Sequence, residues 1–263
     1  MPRPVVALLT DFGSHDHYAG TMKAVILGIC PDVTLVDITH DIPPHDVLTA
    51  ALELAASYKY FPTGAIFLVV VDPGVGSARR GIVADTGDHR FVAPDNGVLS
   101  AVFKDSPPRR VFEMTERRYV RPTVSRTFEG RDRFAPAAAW LAKGVDLSTF
   151  GRSAGVLHQL NIPTPTVTDD ELAGEVLRVD RFGNLVTNID RKLFDQFVHS
   201  SGIEITAATH RIGRVIGTYA EAAADEVCAL FGSTDHLEVA VNAGSARDRL
   251  NLTRGAPVTI RRV

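Results

Sequence analysis

The chain has 263 residues, 45% of them hydrophobic, and a formal net charge of −3 from 28 lysines and arginines against 31 aspartates and glutamates. That balance fits a soluble globular protein of one large or two modest domains, and it excludes the global basic field that draws in nucleic acid. No apolar run reaches the length of a membrane span, and the start of the chain carries no cleavage-like segment, so no membrane is expected and the expected compartment is the cytoplasm. Cys30 and Cys228 lie far apart with no metal-ligand spacing around them. They read as buried thiols in a reducing compartment.

Val5-Val6-Ala7-Leu8-Leu9 is a short apolar run that suits a strand buried on both faces. It leads into Asp11-Phe12-Gly13, the triplet that holds magnesium in protein kinases. A kinase places a glycine-rich loop, a strand lysine and a catalytic loop before that triplet, and the ten residues before Asp11 cannot hold them. Asp11 stands instead at a strand end, where open α/β sheets bind ligands. It is either a helix N-cap or an acceptor for ligand hydroxyls. Lys23 to Ile29 is apolar at helical spacing and stops before Pro31, and Val33 to Ile38 reads as a strand. Pro43-Pro44 breaks the chain, and Asp46 can cap a helix whose face is Val47, Leu48, Ala51, Leu54, Ala55 and Tyr58. Ala65 to Val71 is a second buried strand, ending at Asp72. Gly81 to Asp85 and Arg90 to Ala93 form a hairpin pattern around Thr86-Gly87-Asp88, and Phe134 to Ala142 is an alanine-rich helix. These repeated units predict an α/β domain with a Rossmann-like, mostly parallel sheet and helices on both faces.

The texture changes at Asn161-Ile162-Pro163-Thr164-Pro165-Thr166, a stiff proline-marked connection. Helical patterns nearly vanish beyond it. Glu175 to Val179, Leu185 to Ile189, Ile203 to Ala207, Val227 to Phe231, Leu237 to Val241 and Pro257 to Val263 are strand candidates, many separated by glycine. A small antiparallel barrel or sandwich follows. The expected division is an N-terminal α/β domain over 1–157, a linker over 158–171 and a C-terminal β domain over 172–263.

Three stretches place polar residues where chemistry needs them. In Val71-Asp72-Pro73-Gly74-Val75-Gly76-Ser77-Ala78-Arg79-Arg80, a strand-end carboxylate precedes a Pro-Gly turn and two arginines. Such a turn lets backbone N–H groups approach a ligand, though it lacks the Gly-Lys-Ser/Thr ending of a Walker loop. A tight turn with an Asp–Arg ion pair is the structural alternative. Thr127-Phe128-Glu129-Gly130-Arg131-Asp132-Arg133-Phe134 sets four charges between two phenylalanines before a helix, where Asp132 would otherwise serve as the cap. Val179-Asp180-Arg181-Phe182-Gly183-Asn184-Leu185-Val186-Thr187-Asn188 reads as a site or as a β-turn with an Asn in a left-handed position. His15, Asp16, His17, His40, Asp41 and His45 fall in two turns without regular ligand spacing, so they read as exposed turn residues and no metal is expected.

Together the stretches "LLTDFG", "PDVTLVDITHDIPPHDV", "VVVDPGVGSARR", "FVAPDNGVLS", "TFEGRDRFAPAAAWLA", "VDRFGNLVTNI" and "LEVAVNAGSA" resemble, over nearly the whole chain and in order, the S-adenosylmethionine hydroxide adenosyltransferases, relatives of the fluorinase and chlorinase enzymes. The resemblance implies an N-terminal α/β domain, a C-terminal β-barrel and a homotrimer whose sites lie between the N-terminal domain of one subunit and the C-terminal domain of the next. It implies hydrolysis of S-adenosylmethionine to adenosine and L-methionine by attack of water or hydroxide at the ribose C5′, without a further cofactor. On that reading Asp11 accepts hydrogen bonds from the ribose hydroxyls. Phe128 and Tyr219 pack around the nucleoside. Asn184, Ser233, Glu238 and Val241 touch the nucleoside or the methionine end, and Asp180 meets the methionine ammonium. Asp72 and Arg79 match two of the three residues that hold the water in these hydrolases.

The third of those residues is a histidine in the family and Glu129 here. Two carboxylates beside one arginine repel each other if both are ionised, so one of them can keep a proton and act as a base, or Glu129 simply pairs with Arg79. Halogenases carry Tyr at the place of Asp72 and Ser at that of Gly130, and a carboxylate there repels an attacking anion. Two further readings stand beside the hydrolase. One is a non-catalytic nucleoside-binding protein, and the other is a methyltransferase, for which no glycine-rich strand–helix fingerprint is present.

Overall fold

The computed structural model describes residues 3–199 and 202–263. It divides into two compact units, one up to Asn161 and one from Ile162 onward.

The first unit runs β1 (Val5–Thr10), α1 (Tyr18–Ile29), β2 (Thr34–Thr39), α2 (Val47–Ser57), β3 (Ile66–Val70), β4 (Gly81–Asp85), β5 (Arg90–Pro94), α3 (Ser100–Asp105), β6 (Arg110–Glu113) and α4 (Ala135–Ala142). Its sheet has the order β2-β1-β3-β5-β4-β6. β2, β1, β3 and β5 pair in parallel, while β4 runs antiparallel to both β5 and β6. The antiparallel edge comes from the expected hairpin at Thr86–His89, so the sheet is mixed.

The apolar runs are continuous because helices cover both faces. Along β1, Val6 and Leu8 pack with Met22 and Ile26 of α1 and the alanines of α4. Ala7 and Leu9 pack on the other side with Ala50 and Leu54 of α2 and Val102 of α3. The period of two sends successive residues into two separate cores. α1 begins at Tyr18, earlier than the apolar spacing from Lys23 marks, since Met22 and Ile26 sit one turn apart on its buried face. Asp46 caps α2 as expected, its side chain accepting the Thr49 N–H at 3.0 Å.

The second unit contains β7 (Thr166–Val167), β8 (Glu171–Val179), β9 (Leu185–Asp190), α5 (Arg191–Val198), β10 (Ile203–Ala207), β11 (His210–Ile212), β12 (Val227–Phe231), β13 (His236–Val241), α6 (Ala246–Leu250) and β14 (Pro257–Arg262). Its strands follow the order β11-β10-β14-β8-β9-β13-β12, with β7 beside β8. A bridge from Val215 to Ala229 of β12 draws the two ends of that order together, so the sheet nearly closes into a barrel rather than opening into a sandwich. β8 turns the corner. Its first half pairs with β14 and its second half with β9, with a register shift between Val176 and Arg178. At the bend, a Cβ on Gly174 would collide with Asn188 Oδ1, which accepts the Glu175 N–H at 2.8 Å. The unit also carries a helix that the apolar patterns do not announce, α5, which buries Phe194 and Phe197 and is capped by Asp190 through the Leu193 N–H at 2.8 Å.

Candidate active site

β1 and β3 are parallel neighbours with Thr10 opposite Val70, so Asp11 and Asp72 leave the sheet at the same end. Asp11 caps no helix. α1 starts at Tyr18, and Asp11 Oδ2 accepts the His45 N–H at 2.9 Å. His45 holds a positive φ of 67° to present that N–H. Both acids line a cavity of about 270 Å³ with Tyr18, His45, Phe128 and Glu129. Phe128 meets Phe12 and Tyr18 edge-on, with centroids 5.9 and 5.0 Å apart. The cavity lining therefore combines carboxylates with aromatic rings.

One of the turn histidines is not exposed. His40 Nδ1 lies 2.8 Å from Oγ1 of the fully buried Thr10, and its Nε2 lies 3.1 Å from Asp37 Oδ1. It braces the strand end that precedes Asp11. His15 and His17 are exposed. Among the described residues, no group of three or more His, Cys, Asp or Glu is placed to hold a metal ion.

Asp72, Arg79 and Glu129 form one cluster. Arg79 Nε donates to Asp72 Oδ1 and Oδ2 at 2.8 and 2.9 Å, and its Nη2 is shared between Asp72 and Glu129. Its guanidinium lies over the Phe134 ring, 5.0 Å from the centroid. Burial works against the Arg79 charge, but hydrogen bonds and attraction from Asp72 and Glu129 outweigh it, and the pKa is raised. Arg79 Nη1 is buried and donates to no protein atom among the described residues. The loop reaches this position through Gly76, whose φ is 75° and whose Cβ would collide with the Arg126 carbonyl.

Glu129 has a second cationic partner that the sequence reading did not single out. Arg133 Nη1 donates to Glu129 Oε1 at 3.1 Å. Their i, i+4 spacing in a helical segment was the available signal. The cluster thus holds two guanidinium groups for two carboxylates, and the repulsion expected around one arginine is offset. The turn that carries these residues, Gly130–Phe134, is a π-turn. Asp132 lies inside it rather than capping α4. It is fully buried and accepts the Ser125 N–H at 2.8 Å and Arg131 Nε at 2.7 Å.

In the second unit, Asp180, Asn184, Tyr219, Ser233, Glu238 and Val241 all line one cavity of about 790 Å³. Arg178, Phe182 and Asn242 line it too and were not anticipated. Asp180 Oδ1 accepts the N–H groups of Phe182 and Asn184, both at 2.9 Å. Gly183, not Asn184, takes the left-handed position of this turn, with φ 86°, and Asn184 is buried. Asn184 Nδ2 donates to Asp180 Oδ2 at 2.9 Å and lies 3.3 Å from the Tyr219 hydroxyl. Tyr219 in turn donates to Glu238 Oε2 at 3.1 Å. Burial first, and then the Glu238 charge, pushes Tyr219 up to about 12, so it remains a donor at neutral pH. Burial raises the Glu238 pKa, and the Tyr219 hydrogen bond offsets part of that rise. β12 ends closely against this group, because a Cβ on Gly232 would collide with the Glu238 carboxylate.

Acids at the carboxyl ends of two parallel strands, and a polar cavity in a barrel, together define a small-molecule enzyme built on two units. Family models agree: that of the SAM hydroxide adenosyltransferase N-terminal domain matches residues 6–151, and that of the C-terminal domain matches residues 174–259. The chain belongs to this family. It is 40% identical to the (R)-S-adenosyl-L-methionine hydrolase of Thermus thermophilus, covering 98% of this chain and 99% of that one. The protein of the same name from Salinispora tropica is 37% identical over 97% and 96% of the two chains. Proteins named fluorinase are similar at lower identity. A crystal structure of a conserved protein from Thermotoga maritima superposes with a TM-score of 0.92 at 36% identity, covering 98% of this chain and all of the other.

Proposed function

We propose that the protein hydrolyses S-adenosyl-L-methionine to adenosine and L-methionine. The observation that carries this reading is the 270 Å³ cavity, where Asp11, Phe128, Asp72 and Glu129 converge. Asp11 has a carboxylate oxygen free of the His45 bond to accept ribose hydroxyls, and Phe128 with Tyr18 supplies apolar surface for the nucleoside. Asp72 accepts a hydrogen of the attacking water, and Arg79 fixes the Asp72 carboxylate in place. The C5′–O bond forms as the C5′–S bond breaks, and the electron pair of that bond goes to sulfur. Methionine leaves as a neutral thioether, so no acid is needed to protonate it, and the water's proton passes to solvent. The main contribution of the protein is alignment of water with the C–S bond and exclusion of competing solvent. Two carboxylates beside the attack path disfavour a halide nucleophile.

On the same reading the six cavity residues of the second unit bind the rest of the substrate, with Asp180 facing the methionine ammonium. The two half-sites are completed by association of subunits in a homotrimer. The names of the relatives point to the (R) epimer at sulfur as the preferred substrate. The working compartment is the cytoplasm, where S-adenosylmethionine is made and used, and no further cofactor is needed by this mechanism.

The purified protein incubated with (R)-S-adenosyl-L-methionine should release adenosine and methionine in equal amounts, followed by chromatography. The (S) epimer should react more slowly. S-adenosylhomocysteine as the product would mean methyl transfer, and adenosine binding without turnover would mean a binding protein.

A further inference from the structure

We infer that Arg133 is a positioning residue for the proposed reaction, holding the Glu129 carboxylate so that its second oxygen stays on Arg79. The inference rests on the hydrolase reading and adds to it a residue that does not line the cavity. The π-turn Gly130–Phe134 brings Arg133 round to Glu129, four residues before it. Arg133 is itself anchored from the sheet side. Its Nη2 donates to the Met114 carbonyl at 2.9 Å, and Met114 is buried with its N–H on the Gly81 carbonyl at 2.8 Å.

Glu129 is therefore held at both oxygens, Oε1 by Arg133 and Oε2 by Arg79. Arg79 Nη2 serves Asp72 and Glu129 together, which brings two like charges to one nitrogen. Coulomb repulsion between them weakens the hold of Arg79 on each carboxylate. A second guanidinium on the far oxygen of Glu129 balances that charge and leaves both carboxylates in place. A histidine at position 129, the residue that the motif resemblance implies, is neutral in its basic form and would need no such counter-charge. Arg133 is thus the counter-charge that accompanies a glutamate at this position. With both oxygens engaged, Glu129 is placed to orient Arg79 and, through it, Asp72.

The test is a double-mutant cycle of Arg133→Met and Glu129→Ala, read in kcat, KM and thermal midpoint. Arg133→Met should lower kcat about 10-fold, within the range of coupled neighbours, with KM changed less than about twofold. Arg133→Lys, which keeps the charge but not the two-point contact, should fall between Met and the parent. In the Glu129→Ala background, Arg133→Met should change kcat less than about twofold, because the group it positions is gone. An equal loss of kcat in both backgrounds, or a loss confined to KM, overturns the inference. If Arg133→Met does not fold, Arg133→Lys and Arg133→Gln carry the same comparison. A parent that forms no adenosine removes the proposed function, and the inference then stands or falls on the coupling in thermal midpoint: a coupling supports the Arg133–Glu129 contact, and strict additivity overturns it.

Discussion

Glu129 stands where the motif resemblance implies a histidine, and its contacts show how a carboxylate is accommodated there. Both of its oxygens face guanidinium groups. Asp72→Ala removes the carboxylate proposed to hold the water and should lower kcat by roughly 10²–10⁴-fold. Glu129→Gln should keep clearly more activity than Glu129→Ala, since an amide still offers one acceptor to the arginines. A Gln variant as poor as Ala in steady-state assays would assign Glu129 the role of a base. Glu238 makes a separate prediction about pH. The folded protein raises its pKa above the ordinary value of 4.5, with burial as the main cause. The protonated form therefore stabilises the fold in full below that ordinary value, and this contribution is lost as pH rises through the folded pKa. Glu238→Gln removes the titration and keeps an acceptor for the Tyr219 hydroxyl. Its thermal midpoint relative to the parent should rise as pH increases from below the ordinary value of 4.5 through the raised folded pKa. A difference that stays constant with pH would show that Glu238 is not held in this way.

At the scale of single elements, the site depends on where strands and helices stop. β1 and β3 end in register, and the loops after them bring Asp11 and Asp72 to one cavity. α2 begins next to His45, whose N–H meets Asp11, and Asp46 fixes that start. Asp46→Ala should cost about 1 kcal/mol of stability, the usual value of a lost N-cap, measured by urea unfolding. A change within a few tenths of a kcal/mol would mean that another group caps α2. The π-turn before α4 has a similar role. A widened turn sets Glu129 toward Arg79 and Asp132 inward, and Asp132 then ties the preceding loop through the Ser125 N–H.

At the scale of the whole molecule, the candidate residues fall into two sets, one on each compact unit. If the proposed trimer completes its sites across subunits, two inactive variants can repair each other. Asp72→Ala spoils one half-site and Asn184→Ala spoils the other. Co-refolding the two should yield mixed trimers in which some sites combine two intact halves, and part of the activity should return. Light scattering should give a mass of three chains. Full activity from a monomeric species would contradict the shared site, as would co-refolded variants that remain inactive despite mixing.

Much of this was legible in the sequence because it is local. Period-two and continuous apolar runs marked β1 and β3, Pro43-Pro44 with Asp46 marked the start of α2, and Thr86-Gly87-Asp88 marked a hairpin turn. Most of the candidate residues of each unit also line its cavity, since they stand at strand ends and turns. α5 escaped because four of its eight residues are charged or amide-bearing and only two phenylalanines reach the core. His40, Asp132 and Arg133 escaped for another reason. Whether a charged or polar side chain is a solvated turn residue or a buried brace depends on what folds over it, and that partner is set by packing. His40 is braced by Thr10 from a different strand, and Arg133 by a carbonyl nineteen residues earlier. The residue patterns left barrel and sandwich both open and the family resemblance implied the barrel, whose near-closure rests on the bridge between Val215 and Ala229. Periodicity records which residues seek the core, whereas only the folded chain decides which distant groups balance each other's charge.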